Sequence, residues 1–130
     1  DILVNISRPD ILVHEYGHAM DLFMHKPSTS SAFIPVRTMY AEAILPDLVA
    51  DPNLRYYLSP SEVFARTYEI YVTIRAGPSY ILRDLSGSKV HPRSDDLDRA
   101  IVGFFDDLLS DHRRIGPSNP ESVLSPLNSS

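Results

Sequence analysis

The chain has 130 residues, of which 43% are hydrophobic and 22% charged, and its formal net charge is −5. This length predicts one domain with a true hydrophobic core, and the acidic balance argues against nucleic acid as the main partner, because phosphate binding needs a basic face. No apolar stretch approaches the roughly 18 residues that a membrane-spanning helix needs. The chain has no cysteine, so any metal site must use histidine and carboxylate ligands.

The first elements are predicted to be a strand and a helix. Ile2 to Ile6 is short and β-branched, which favours one small strand at most. Ser7 is a candidate N-cap for a helix that runs to about His25, where Lys26-Pro27 stops it. The chain begins on Asp1 rather than Met, which raises the expectation of a fragment that lacks part of its N-terminus.

The middle of the chain predicts a loop, a helix and a short extended segment. Residues 27–34 are mostly small and polar and predict the loop. A helix is expected from Val36 to Leu45, with Pro46 breaking or restarting it. Leu54 to Leu58 contains two tyrosines and is predicted to be extended.

Two further helices are predicted by strong start and stop signals. The first begins at Ser59-Pro60-Ser61-Glu62 and ends before Gly77-Pro78. The second runs from about Asp95 to Arg114 behind the cap residue Ser94, with apolar residues at core-facing spacing. The predicted fold class is therefore mainly α, with a flexible Pro/Ser/Asn-rich tail over 117–130.

The most informative motif is His14-Glu15-Tyr16-Gly17-His18, which has the pattern H-E-x-x-H within the first predicted helix. Two histidines four residues apart lie about 40° from each other around a helix, so both imidazoles can reach one ion. Glu15 can then hold a metal-bound water and accept its proton. The motif predicts a zinc hydrolase; the alternative is a half-buried helix whose histidines make ordinary hydrogen bonds.

A third zinc ligand is expected from Glu62 or Glu69, because a catalytic zinc normally takes three protein ligands. These glutamates lie seven residues apart on one face of a predicted helix that can pack across the first. Glu62 is the first choice, although it also suits a capping box with Ser59. The alternative for Glu69 is an ion pair with Arg66 on the same helix.

Asp21 faces the same side of its helix as His14 and His18. It is a candidate ligand, or a group that orients a ligand by a hydrogen bond, and an exposed and solvated aspartate is the alternative. The remaining histidines show no ligand spacing and are expected at the surface; they are His25, His91 and His112.

The run from His14 to Asp21, followed by the run from Ser61 to Glu69, resembles the catalytic domain of the anthrax lethal factor family of metallopeptidases. It is also similar to the related secreted Pro-Pro endopeptidases and to phage- or toxin-associated domains. The resemblance implies an α+β zincin-like domain of the gluzincin type over 1–116, in which the helix of the first motif packs against a second ligand-bearing helix. It implies Zn²⁺ as the cofactor and a peptide or protein as the substrate. The implied site residues are the zinc ligands His14, His18 and Glu62 and the general base Glu15.

The same family places a tyrosine shortly before the third ligand, where its hydroxyl stabilises the oxyanion. Tyr57 and Tyr56 both lie in that region, and the alternative for each is a tyrosine with a buried ring and a solvated hydroxyl. The family likeness also suggests a secreted toxin or a delivered effector.

The sequence as a whole predicts a zinc-dependent endopeptidase that hydrolyses peptide bonds by a metal-activated water. The alternative function is a non-catalytic binding module that keeps a zincin-like fold within a larger toxin, effector or phage protein. A helical domain without any metal is the least favoured of the three functions, because it gives no reason for four residues to converge: His14, Glu15, His18 and Glu62.

Overall fold

The computed structural model describes residues 9–76 and 87–114, and within these residues the backbone is mainly helical and has no strand. The mainly α class is therefore confirmed. The predicted strand over 2–6, its neighbour Ser7 and the predicted tail over 117–130 lie outside the described residues. None of the described helices combines the length and the apolarity that a bilayer crossing requires. The helices are α1 (Pro9–Phe23), α2 (Ile34–Leu48), α3 (Leu54–Tyr57), α4 (Pro60–Ala76) and α5 (Asp95–Arg114), with 3₁₀ turns at Pro27–Thr29 and Ser31–Phe33.

Helix α4 is the centre of the fold and contacts each of the other four helices. Its contact with α1 depends on Gly17. A Cβ at Gly17 would lie 3.1 Å from the Cα of Ala65 and 3.4 Å from Cδ2 of Tyr68. Small residues at this crossing therefore let the two backbones approach closely, which brings the H-E-x-x-H motif onto the face of α4 that carries Glu62.

The hydrophobic core lies on the other side of α4, between α2 and α5. Phe64 of α4 packs against Phe33 and Phe105 at ring-centroid distances of 5.6 and 5.1 Å. All three rings are fully buried, as are Tyr40 and Ile44 of α2. Burial of these aromatic rings, together with the aliphatic residues around them, holds the helices together.

Local signals placed α4 and α5 correctly. Helix α5 runs from Asp95 to Arg114 as predicted, and the hydroxyl of Ser94 accepts a hydrogen bond from the backbone N–H of Leu97 at 3.1 Å. The predicted end of α2 at Leu45 is wrong, because the helix continues through Pro46 to Leu48. Leu48 is buried, so packing of the last turn compensates for the hydrogen bond that proline removes.

The predicted extended segment at Leu54 to Leu58 is wrong, since its first four residues form the short helix α3. The carboxylate of Asp51 accepts a hydrogen bond from the N–H of Asn53 at 2.7 Å and starts a turn there. The N–H of Leu58 then bonds to the carbonyl of Leu54 at 3.0 Å. This turn geometry points Tyr56 toward the start of α4.

Candidate metal centre

Three side-chain atoms of the predicted ligands meet in a nearly equilateral triangle. His14 Nε2 lies 3.2 Å from His18 Nε2 and 3.3 Å from Oε1 of Glu62. His18 Nε2 lies 3.1 Å from the same Oε1. Tetrahedral zinc with bonds of 2.0–2.1 Å has ligand atoms about 3.3 Å apart, so the triangle has the size of one face of that tetrahedron. These residues could hold a metal ion, although the donor set alone does not distinguish zinc from other divalent cations.

The triangle is buried on its carboxylate side and open on its imidazole side. The side chain of Glu62 is 1% exposed, whereas those of His14 and His18 are 15% and 30% exposed. Solvent therefore reaches the histidine side of the cluster. A catalytic metal site needs this kind of access, because water and substrate must share the remaining coordination position.

Both carboxylate oxygens of Glu62 contact other side chains. Oε1 faces the two imidazoles, and Oε2 accepts a hydrogen bond from Nε of Arg66 at 2.7 Å. The hydroxyl of Ser59 donates to the carbonyl of Tyr56. The capping-box alternative for Glu62 therefore does not describe its contacts, since the carboxylate points into the cluster.

Glu69 lies behind His14, on the side away from the triangle. Its Oε1 accepts a hydrogen bond from Nδ1 of His14 at 2.9 Å, and its side chain is 4% exposed. The expected ion pair with Arg66 is present but longer, at 3.9 Å. A proton on Nδ1 leaves the lone pair of Nε2 directed at the triangle, so Glu69 is placed to orient His14 and not to bind the metal directly.

The electrostatics of the cluster favour a cation between the imidazoles and the carboxylates. Burial by itself lowers the pKa of His14, but hydrogen bonds and charges from Glu62 and Glu69 outweigh it and raise the pKa to about 9. Burial raises the pKa of Glu62, whereas His14 and Arg66 lower it to about 2. Glu62 therefore remains ionised at neutral pH and presents a full negative charge to any bound cation.

Tyr56 is the candidate tyrosine that the structure brings to the cluster. Its hydroxyl donates a hydrogen bond to Oε1 of Glu62 at 2.9 Å, while its side chain stays 55% exposed. Tyr57 instead packs its ring against the hydrophobic core. Glu15 is exposed on α1 beside His14, where solvent reaches its carboxylate.

Asp21 is not part of the cluster. The aspartate is buried, and its two oxygens accept hydrogen bonds from the backbone N–H and the hydroxyl of Ser28, at 2.9 and 2.7 Å. The exposed alternative for Asp21 is therefore wrong, and its carboxylate is engaged away from the imidazoles. It fixes the turn after α1, where His25 and Lys26 have φ of 63° and 62°.

His91 was expected at the surface, and this prediction is wrong. The residue is 5% exposed, and its Nε2 lies 3.0 Å from Oε1 of Glu69. Its Nδ1 lies 2.7 Å from Oγ of Ser88. No spacing rule connects His91 to the motif on α1, because the contact depends on how residues 87–94 fold back onto α4.

Comparisons of the chain with protein-family models, with curated proteins and with solved structures found no match. The resemblance to the lethal factor peptidases therefore stays an expectation based on the two sequence motifs. The assignment of function depends on the geometry of His14, His18 and Glu62 and on the residues around them.

Proposed function

We propose that this chain is a zinc-dependent endopeptidase domain of the lethal factor type. The observation that supports it best is the triangle of His14 Nε2, His18 Nε2 and Glu62 Oε1, with sides of 3.1–3.3 Å. Two imidazoles and one carboxylate form a donor set found in zinc peptidases, which keep one further position for water. Solvent access on the histidine side and a carboxylate at Glu15 suit hydrolysis better than a closed structural site.

The mechanism assigns separate tasks to the ligands, the base and the tyrosine. His14, His18 and Glu62 would hold the zinc, and bound zinc would supply the Lewis acidity that polarises the scissile carbonyl and activates water. Glu15 accepts the proton of the attacking water and passes it to the departing amine. With Oε1 of Glu62 on the zinc, the hydroxyl of Tyr56 would turn its proton from that oxygen to the oxyanion that develops on the substrate.

The test compares Glu15→Gln with the native protein and with Glu42→Gln. Glu42 is an exposed glutamate on α2 outside the cluster, so it undergoes the same chemical change without touching the site. Zinc content is measured by elemental analysis, and cleavage of a diverse peptide library is followed by mass spectrometry. We expect Glu15→Gln to retain zinc and to lose cleavage by roughly 10²–10⁴-fold, while Glu42→Gln behaves as the native protein.

Chelator treatment completes the experiment. Cleavage that persists at the native rate in Glu15→Gln, or in the presence of a strong chelator, would reject the proposed mechanism. Zinc binding without cleavage of any library peptide would instead support the non-catalytic binding module. The absence of bound zinc in the native protein would reject the peptidase and leave the binding module without a metal.

A further inference from the structure

A continuous chain of hydrogen bonds connects the segment 87–94 to the candidate metal centre. It runs from Ser88 Oγ to His91 Nδ1 (2.7 Å), from His91 Nε2 to Glu69 Oε1 (3.0 Å), and from that oxygen to His14 Nδ1 (2.9 Å). Its two inner members, His91 and Glu69, are 5% and 3% exposed. His91 and Ser88 are not among the predicted zinc ligands, so their place in this chain of hydrogen bonds needs a separate explanation.

The direction of each hydrogen bond follows from the available donors. The N–H of Val90 donates to Oγ of Ser88 at 3.3 Å, so the hydroxyl proton of Ser88 remains available for Nδ1 of His91. A neutral His91 that accepts at Nδ1 carries its proton on Nε2 and donates it to Glu69. Glu69 thus receives two N–H donors on one oxygen, from His91 and from His14.

The segment that carries His91 is attached to the body of the protein on both sides of this residue. The hydroxyl of Tyr40 donates to the carbonyl of Val90 at 2.7 Å. Arg93 pairs with Asp98 of α5 through two contacts of 3.0 Å. The backbone of this segment therefore holds His91 against Glu69. The contact gives the nearly buried imidazole a hydrogen-bond partner, without which its burial would be unfavourable.

We infer that His91 is a positioning residue of the metal centre, which holds Glu69 against His14 and thereby increases the affinity of the cluster for zinc. The inference rests on the zinc site of the proposed function but not on peptidase activity. Without the second donor, the carboxylate of Glu69 gains rotational freedom, and the imidazole of His14 loses its fixed orientation. Removal of such outer partners typically weakens metal binding by about 10–100-fold, and we place His91 near the lower limit because it acts through Glu69.

The experiment measures the zinc dissociation constant of folded protein by competition with a fluorescent chelator. We expect His91→Leu to bind zinc about tenfold more weakly than the native protein, and His91→Gln to stay within about threefold, because the glutamine amide keeps an N–H donor near the position of Nε2. In the zinc-loaded protein, NMR detects the Nδ1 proton of His14, which is protected from solvent exchange by its hydrogen bond to Glu69. This exchange should be equally slow in the native protein and in His91→Gln, and faster in His91→Leu.

Tyr71→Phe is the control for a general loss of stability, because it removes the hydrogen bond to Asp106 of α5 at 2.8 Å and involves neither the segment 87–94 nor Glu69. We expect it to lower the free energy of unfolding by about 1 kcal/mol and to leave zinc affinity unchanged. Equal zinc affinity in the native protein and His91→Leu, or equal losses in His91→Leu and Tyr71→Phe, would overturn the inference.

Ser88→Ala keeps the inference testable if His91→Leu does not fold. Loss of the hydroxyl removes the partner that fixes the tautomer of His91, and we expect zinc binding to weaken by about threefold. An unchanged dissociation constant in Ser88→Ala would then count against the role of His91. A native protein that binds zinc but cleaves no peptide would contradict the peptidase alone and leave the role of His91 intact.

Discussion

The side of α4 that faces α1 differs from the side that faces α5 in chemistry and in packing. Toward α1, the helix presents Glu62 and Glu69 to two imidazoles across a close backbone contact. Toward α5, it presents Phe64 and Tyr71 to the ring of Phe105, at centroid distances of 5.1 and 5.3 Å. One helix therefore combines an apolar side that stabilises the fold with a polar side that assembles the candidate metal centre.

Because the two sides of α4 differ in this way, stability and metal binding should respond to different substitutions. Buried carboxylates and imidazoles contribute little net stability, because the cost of removing them from water offsets their mutual attraction. Buried aromatic rings contribute through the area they remove from water. Substitutions on the two sides of α4 should therefore separate the two properties.

The largest effect is expected on the aromatic side. Phe105→Ala removes a fully buried ring and should lower the free energy of unfolding by about 3–5 kcal/mol, as measured by urea denaturation. The folded fraction should keep the native zinc dissociation constant, because Phe105 does not touch the cluster. A loss of zinc affinity in folded Phe105→Ala would show that the two sides of α4 are not independent.

The second effect is the stabilisation that zinc itself supplies. A ligand that binds only the folded state at 100 times its dissociation constant raises the free energy of unfolding by about 2.7 kcal/mol. We expect this increase in the native protein and its loss in His18→Ala or after chelation. His25→Asn is the control, because His25 is exposed at a left-handed φ of 63° that asparagine tolerates. A zinc-dependent increase that survives in His18→Ala would remove His18 from the ligand set.

The smallest effect is expected at the crossing of α1 and α4. In Gly17→Ala, the new methyl group meets the Cα of Ala65 at 3.1 Å, which the helices can relieve only by moving apart. Stability should change by about 1 kcal/mol or less, because higher helix propensity offsets the overpacking. The displacement of Glu62 from the histidines should still weaken zinc binding by about tenfold, read by the same chelator competition.

Gly103→Ala on α5 provides the comparison for Gly17→Ala. A Cβ at Gly103 has no neighbour within 4 Å among the described residues, so this substitution gains helix propensity without any contact. It should stabilise the protein slightly and leave zinc affinity unaltered. If both variants bind zinc as the native protein does, the close approach at Gly17 does not control the geometry of the cluster.

The sequence was most informative where the signals are local. Ser94 and the Asp95–Arg114 periodicity defined α5, and Ser59-Pro60 defined the start of α4, because caps and prolines act within a few residues. The H-E-x-x-H motif identified His14 and His18 for the same reason, since four-residue spacing on a helix already brings two side chains together.

The sequence was least informative where tertiary contacts decide. Nothing near His91 or Asp21 indicates that each is buried, because their partners are Glu69, 22 residues away, and Ser28, across a turn. The helical form of Leu54–Tyr57 was also missed, because the turn at Asp51 outweighs the strand preference of two tyrosines. Side-chain networks of this kind depend on the packed fold and carry no periodic signature.

The hydrogen bonds between Asp21 and Ser28 help to align α1 with α4. Ser28 belongs to the 3₁₀ turn at Pro27–Thr29, which packs on α4, so Asp21 connects the far end of α1 to α4 through that turn. A slip of α1 by one residue would rotate its side chains by about 100° and carry both imidazoles away from Glu62. Asp21 thus fixes the rotation of α1, and a carboxylate outside the cluster determines which side chains of this helix face Glu62.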